Sequence, residues 1–309
     1  MSTSKDRIRQ VVGYLNEHGM DKTVDQFKIS RSTIRRYKRQ AKHMGDAVES
    51  YDVPKILLFD LETSPMECYT WGLFKQYITP EKMIKDTAVL SWAAKWLMDD
   101  SVDGMAVNPE DAENREDYII VEEMHKLFDE ADIIIGHNMK NFDKKVANTR
   151  FILNGFDKPS PYQIVDTYKE AKKQFRFPSN RLNFISQLLS GEEKLDTSFE
   201  LWERCVNGDS SAIEDMLEYN MQDVRVLEEV YLELRPWITS HPNLGLYYDD
   251  ISDRCPNCGS KSLNEDGYYY TPAGKYRSKK CQECGAYGRE RCQDLTAEER
   301  RELRRAQAH

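Results

Sequence analysis

The sequence predicts an α/β core, a mixed sheet flanked by helices, with a small all-α module before it and a small β module held by metal after it. Three observations lead there. Short apolar runs at 54–59 and 131–136 alternate with longer segments of helical spacing, which is the pattern of buried strands set between amphipathic helices. Two Cys-x-x-Cys pairs stand near the C-terminus. Charge is also divided unevenly: residues 1–50 carry 11 Lys+Arg against 6 Asp+Glu (net +5), residues 51–250 carry 21 against 38 (net −17), and residues 251–309 carry 12 against 9 (net +3). An acidic centre that handles a polyanion needs cations at its site and basic arms beside it.

In chain order, Ile8, Val11, Val12 and Leu15 set the apolar stripe of a first helix that Gly19 ends. Residues 23–27 give a short second helix, Ile29-Ser30 a turn, and residues 32–42 a third helix. With Arg31, that third helix carries Arg35, Arg36, Lys38, Arg39 and Lys42. Residues 1–45 thus read as a helix-turn-helix, resembling the small DNA-binding domains of transposases and phage regulators. In such a module the second helix of the pair enters the major groove, which makes Arg35, Arg36 and Arg39 candidate DNA contacts. A three-helix interaction module with a solvated basic face is the other reading. Residues 43–53 are the expected linker.

The central region, residues 51–245, opens on a strand that runs into Phe59-Asp60-Leu61-Glu62-Thr63. Residues two apart on a strand point to the same side, so Asp60 and Glu62 project together. Two such carboxylates repel unless something positive lies between them, and hard oxygen ligands suit Mg²⁺ or Mn²⁺. A strand end with solvated acids is the plain alternative. A second run, 131–136, leads through His137-Asn138 to Asn141-Phe142-Asp143. The helix expected over 144–153 has Val146, Phe151 and Leu153 as core positions. Asp143 falls near its start, where an acid also serves as a favourable N-terminal charge. Residues 212–234 read as one long helix with Ile213, Met216, Leu217, Val224, Leu227, Val230 and Tyr231 on the buried stripe. Tyr219 and Asp223 share one face of it, a turn apart. Asp166 reads as the start of a further helix.

Taken together, the three acidic stretches resemble the motifs of the DEDD 3′–5′ exonucleases, the DnaQ-like enzymes with a ribonuclease H-like fold. Phe-Asp-Leu-Glu-Thr at 59–63 matches the first motif and Ile-Gly-His-Asn-Met-Lys-Asn-Phe-Asp at 135–143 the second. Tyr219-x-x-x-Asp223 matches the tyrosine variant of the third. The histidine variant needs His where this chain has Glu218. The stretch from Val165 to Tyr231 is also similar to predicted exonucleases related to polymerase B proofreading domains. The resemblance covers about residues 51–240 and implies roles at matching positions. Asp60, Glu62 and Asp223 would hold a first Mg²⁺ or Mn²⁺; Asp60 would bridge to a second, with Asp143 near it. Tyr219 would orient the attacking water or accept its proton, and Thr63 and Asn138 would contact the terminal nucleotides.

Residues 251–292 read as a zinc ribbon. Cys255, Cys258, Cys281 and Cys284 form two knuckles 22 residues apart, each followed by a glycine, with a tyrosine-rich hairpin between them. Four thiolates suit one tetrahedral structural Zn²⁺. Disulfides are the alternative, disfavoured in an intracellular chain. The aromatics interleaved with Lys and Arg suit single-strand stacking or a protein partner. Cys68 and Cys205 read as packed thiols, and Cys292 needs no metal role. Residues 295–309 read as a basic helix or tail. Thr296 and Glu299 form a capping box there, and Arg300, Arg301, Arg304 and Arg305 lie toward its end.

No apolar run approaches the ~20 residues of a membrane span, and residues 1–6 lack the apolar core of a secretory signal. The expectation is a cytoplasmic protein without membrane contact, with a loose suggestion of phage origin. The reading is a 3′–5′ exonuclease on DNA, recruited by its flanking modules, with a replication or repair protein as a further partner. The alternatives are an exoribonuclease or structure-specific nuclease, and a non-catalytic DNA-binding regulator on a vestigial nuclease fold.

Overall fold

The computed structural model describes residues 4–18, 20–29, 54–189, 197–248, 252–272, 274–290 and 294–303. The chain divides into two compact units, Met1–Tyr51 and Asp52–His309. In the first, α1 (Ser4–His18) and α2 (Met20–Phe27) bury Val11 and Thr23. The Tyr14 ring lies edge-on to Phe27, with centroids 5.5 Å apart. The expected third helix, with Arg35, Arg36 and Arg39, and the expected linker lie outside the described residues.

The second unit opens with β1 (Ile56–Thr63), followed by a small hairpin of β2 (Glu67–Cys68) and β3 (Met83–Lys85). Then come β4 (Val89–Trp96), β5 (Asp103–Ala106), α3 (Pro109–Asn114), α4 (Tyr118–Glu130), β6 (Ile133–Gly136), α5 (Asp143–Leu153) and β7 (Gln163–Asp166). The helices α6 (Thr167–Gln174), α7 (Leu182–Leu189), α8 (Phe199–Val206) and α9 (Ser210–Leu234) follow. The five-stranded sheet has the order β5-β4-β1-β6-β7. Pairing is antiparallel from β5 to β1 and parallel from β1 to β7.

The period-2 alternation of β1 sorts its side chains between two cores. Leu57, Phe59 and Leu61 face Val121, Met124 and Phe128 of α4 and Phe151 of α5. Ile56 and Leu58 face Val224, Leu227 and Tyr231 of α9. Each large side chain fully buried this way contributes about 1.5–3 kcal/mol. The long helix α9 forms as its apolar stripe dictates, and the Asp209 carboxylate caps it by accepting from the amides of Ser211 and Ala212. One core expectation fails. Leu153 is 62% exposed, because it ends α5 on the solvent side, and the buried position is Ala147.

The C-terminal part is a three-stranded sheet, β8 (Leu263–Thr271), β9 (Gly274–Cys281) and β10 (Tyr287–Arg289), in the order β10-β9-β8. The hairpin expected between the cysteine knuckles is β8–β9. Asn257 ties this sheet to the core, its Nδ2 donating to the carbonyls of Arg235 at 2.8 Å and Ile238 at 3.3 Å. A last helix, α10 (Ala297–Glu302), carries the expected capping box of Thr296 and Glu299. Among the described residues no helix is long and apolar enough to cross a membrane.

Candidate active site

β1 runs past its parallel neighbour. Only Ile56, Leu57 and Leu58 pair with β6, so Asp60 and Glu62 sit on the end of β1 that extends beyond it. They continue the face begun by Ile56 and Leu58, the face that α9 covers. Asp223 comes down from α9, one residue before the packed Val224. Ligand oxygens of Asp60, Glu62 and Asp223 all lie within 4.8 Å of one another. Three carboxylates at that spacing repel strongly, and the arrangement suits a hard divalent cation with oxygen ligands.

Asp143 begins α5 and is 2% exposed. Burial pushes its carboxyl up to about 7, against hydrogen bonds from its own amide and that of Leu61. Leu61 lies between the two carboxylates of β1, so Asp143 reaches the same strand. Its Oδ1 is buried with no hydrogen-bond partner among the described residues. A buried carboxylate oxygen left unbonded is costly, and a cation would satisfy it. Gly136 permits the close approach of this segment: a Cβ there would stand 2.9 Å from Met139 Cβ and 3.1 Å from the Phe59 carbonyl oxygen.

Tyr219 is half-buried one turn before Asp223, its ring edge-on to Trp202 with centroids 6.2 Å apart. Thr63 ends β1 just past a register shift against β4. Asn138 adopts a left-handed backbone, φ 67°. Asp166 caps α6 as expected, accepting from Lys169 N at 3.1 Å. It also holds the Asn138 loop, accepting from Asn138 N at 3.1 Å and Lys140 N at 3.0 Å. Beside it, His137 meets Thr167 Oγ1 at 2.9 Å and the Asn180 carbonyl at 2.8 Å.

One contributor escaped the sequence reading. Asn220 is fully buried; its Nδ2 donates to Asp60 Oδ2 at 2.7 Å and its Oδ1 accepts from Ser91 Oγ at 3.3 Å. Its position inside the Tyr219–Asp223 motif was the available signal. Ser91 stands opposite Glu62 across the β1–β4 ladder, and nothing local to its sequence marks it.

The four sulfurs of Cys255, Cys258, Cys281 and Cys284 also lie within 4.8 Å of one another. Cys255 and Cys284 approach to 3.6 Å, as do Cys258 and Cys281. Those separations are far beyond a disulfide's ~2.05 Å. They match the ~3.8 Å edge of a tetrahedron with Zn–S bonds of about 2.3 Å. Gly259 and Gly285, each with φ 75°, turn the chain behind each knuckle. Hydrogen bonds from Cys255 and Cys258 hold the Cys284 thiol far below its ordinary range. Among the other cysteines, Cys205 is a packed thiol whose Sγ lies 3.2 Å from the Ala212 carbonyl. Cys68 is half-buried, and Cys292 lies outside the described residues.

A mixed five-stranded sheet of this order, flanked by helices and carrying acids at the end of its central strand, is a ribonuclease H-like fold. Residues 96–235 match the family model of the RNase H superfamily. That span holds Asp143, Tyr219 and Asp223 and begins beyond Asp60 and Glu62. Among solved structures, the chain is similar to the family B DNA polymerase from the hyperthermophilic archaeon Pyrobaculum calidifontis, at 16% identity and a TM-score of 0.43. The match covers 73% of this chain and 32% of that one, so this chain spans about a third of the polymerase's length. No curated protein matches.

Proposed function

We propose that the chain is a metal-dependent nuclease that removes nucleotides from the 3′ end of DNA. The observation that carries the reading is the meeting of Asp60, Glu62 and Asp223 within 4.8 Å, with Asp143 bound to the Leu61 amide between the first two. Asp60, Glu62 and Asp223 would hold one Mg²⁺ or Mn²⁺, and Asp60 with Asp143 a second. Two bound divalent ions supply an activated water and charge stabilisation for in-line displacement at phosphorus. Asn220 fixes the Asp60 carboxylate. Tyr219 orients the water; with a reference pKa of about 10 its phenol is a weak base alone. Thr63 and Asn138 contact the terminal nucleotide. Polarity and exonucleolytic action rest on the three sequence motifs.

DNA is favoured because residues 1–45 read as a helix-turn-helix, and the B-form major groove admits a recognition helix where A-form RNA does not. The four cysteines hold a structural zinc. The test is a time course on 3′- and 5′-labelled DNA and RNA oligonucleotides, with and without Mg²⁺ or Mn²⁺, resolved to single nucleotides. The expected result is a metal-dependent ladder shortening from the 3′ end of DNA, abolished in Asp60→Ala while DNA binding persists. Undiminished digestion by Asp60→Ala removes Asp60 from the mechanism. Preference for RNA removes the DNA assignment, and absence of digestion under every condition leaves a binding protein on a nuclease fold.

A further inference from the structure

The strand that carries Asp60 and Glu62 runs directly into an arm with its aromatic side chains turned outward. The arm's base is fixed. Arg115 Nη2 donates to Glu67 Oε1 at 2.6 Å, Lys85 Nζ to the Glu113 carbonyl at 3.0 Å, and Tyr69 N to the Lys82 carbonyl at 2.9 Å. Its outer part is bare: Tyr69 is 72% exposed, Trp71 94%, Leu73 93%, Phe74 85% and Tyr77 83%. Leaving such side chains in water forgoes the free energy that burial would return, and a run of exposed apolar side chains of this kind marks a binding surface. The ring faces are open. Among the described residues Tyr69, Trp71, Phe74 and Tyr77 make no ring or cation contact, whereas on the C-terminal sheet Lys275 covers Tyr268 at 3.7 Å and Arg289 covers Tyr276 at 4.6 Å.

We propose that residues 69–78 are a stacking platform for the bases of a single-stranded nucleic acid whose end lies at the carboxylate site. This rests on the nuclease reading for its direction. Three observations favour a nucleic-acid strand over a protein. The platform is continuous with the site, since only four residues lie between Glu62 and Glu67, a reach of at most ~18 Å. Four of its side chains are flat π-systems of the type on which bases stack without regard to sequence. It also carries no acid of its own to repel a polyanion. Residues 51–250 carry 21 Lys+Arg against 38 Asp+Glu, but residues 69–78 hold Lys75 and no acid. The acid at the arm's base, Glu67, is paired with Arg115.

The test uses the full chain with zinc bound and oligothymidylates of about 4 to about 20 nucleotides, bracketing known single-strand site sizes. Anisotropy of labelled oligomers without added Mg²⁺ gives affinity, and digestion with Mg²⁺ gives KM and kcat. In the wild type, affinity rises and KM falls with length. In Trp71→Ala/Phe74→Ala/Tyr77→Ala the longest oligomer binds at least ten-fold more weakly, and KM loses its length dependence with little change in kcat. Trp71→Phe retains the wild-type pattern, because the π-face remains. Binding by the triple variant equal to wild type overturns the proposal and gives the arm to a protein partner. Wild-type binding that depends on the arm, without digestion, upholds the platform and sinks the nuclease reading instead.

Discussion

Within the stretch Tyr219 to Asp223, the outer two residues are visible as chemistry and Asn220 is not. Its amide is bonded at both ends, donating to Asp60 and accepting from Ser91, so the Asp60 carboxylate is held in one orientation. Partners of this kind cost on the order of 10–100-fold in metal affinity or activity when removed. Asn220→Ala should therefore lower the digestion rate by that order and raise the Mg²⁺ concentration needed for half-maximal rate, measured well below a melting temperature that the lost bonds lower by a few degrees. Equal rates across a Mg²⁺ titration would dismiss the role. His137 supports a pH prediction. Burial pulls its pKa below the ordinary 6.5, and its ring bonds the Asn180 carbonyl and the Thr167 hydroxyl. The unfolded chain then binds the proton more readily than the folded one, so stability is present above 6.5 and falls as pH drops from there through the depressed folded value. The raised Asp143 carboxyl acts in the opposite sense in both proteins, so the expected outcome is a difference: between pH 7.5 and 5 the urea midpoint of the wild type should shift downward relative to that of His137→Gln; parallel curves for the two proteins would refute it.

At the scale of elements, the alternation of β1 does two jobs in one strand. Its odd positions are core as far as Leu61, and its even positions change from Ile56 and Leu58 to Asp60 and Glu62 once the parallel neighbour β6 stops pairing. That transition was legible, because a strand's period is short and its residues report their face directly. The strands β4 and β5 were not legible from local pattern, yet β4 supplies Ser91 and the surface under α9. The exposed Leu153 shows the complementary failure, since helical spacing cannot say where a terminal turn meets solvent. The β6–α5 turn gives a stability prediction. Gly136→Ala places a methyl 2.9 Å from Met139 Cβ and 3.1 Å from the Phe59 carbonyl oxygen. Overpacking of this kind costs about 1–3 kcal/mol, readable as a lower urea midpoint. The same shift moves Asp143 relative to Leu61, so digestion should fall as well. A variant with unchanged midpoint would mean the turn has room to yield.

For the molecule as a whole, the four cysteines bear on more than their own sheet. Asn257, between Cys255 and Cys258, bonds the Arg235 and Ile238 carbonyls just beyond α9, and Leu244 N donates to the Pro256 carbonyl at 2.8 Å. Removing zinc with a strong chelator, or with Cys258→Ser, should release one equivalent of metal per chain and open residues 252–290 to protease. It should also lower the melting temperature of the sheet domain by a few degrees, as the loss of bonds worth about 1 kcal/mol each implies. Zinc analysis, limited proteolysis and calorimetry read these outcomes; a chain that holds no zinc refutes the assignment. The acids, the phenol and the cysteines were readable in the linear chain, because each declares its chemistry by type and its face by a short local period. Which acids come within reach of one another, that Asn220 and Ser91 brace Asp60 from 160 and 31 residues away, and that the segment after Thr63 keeps its rings in solvent were decided only by tertiary structure. Those facts depend on contacts between distant segments, and no local period encodes them.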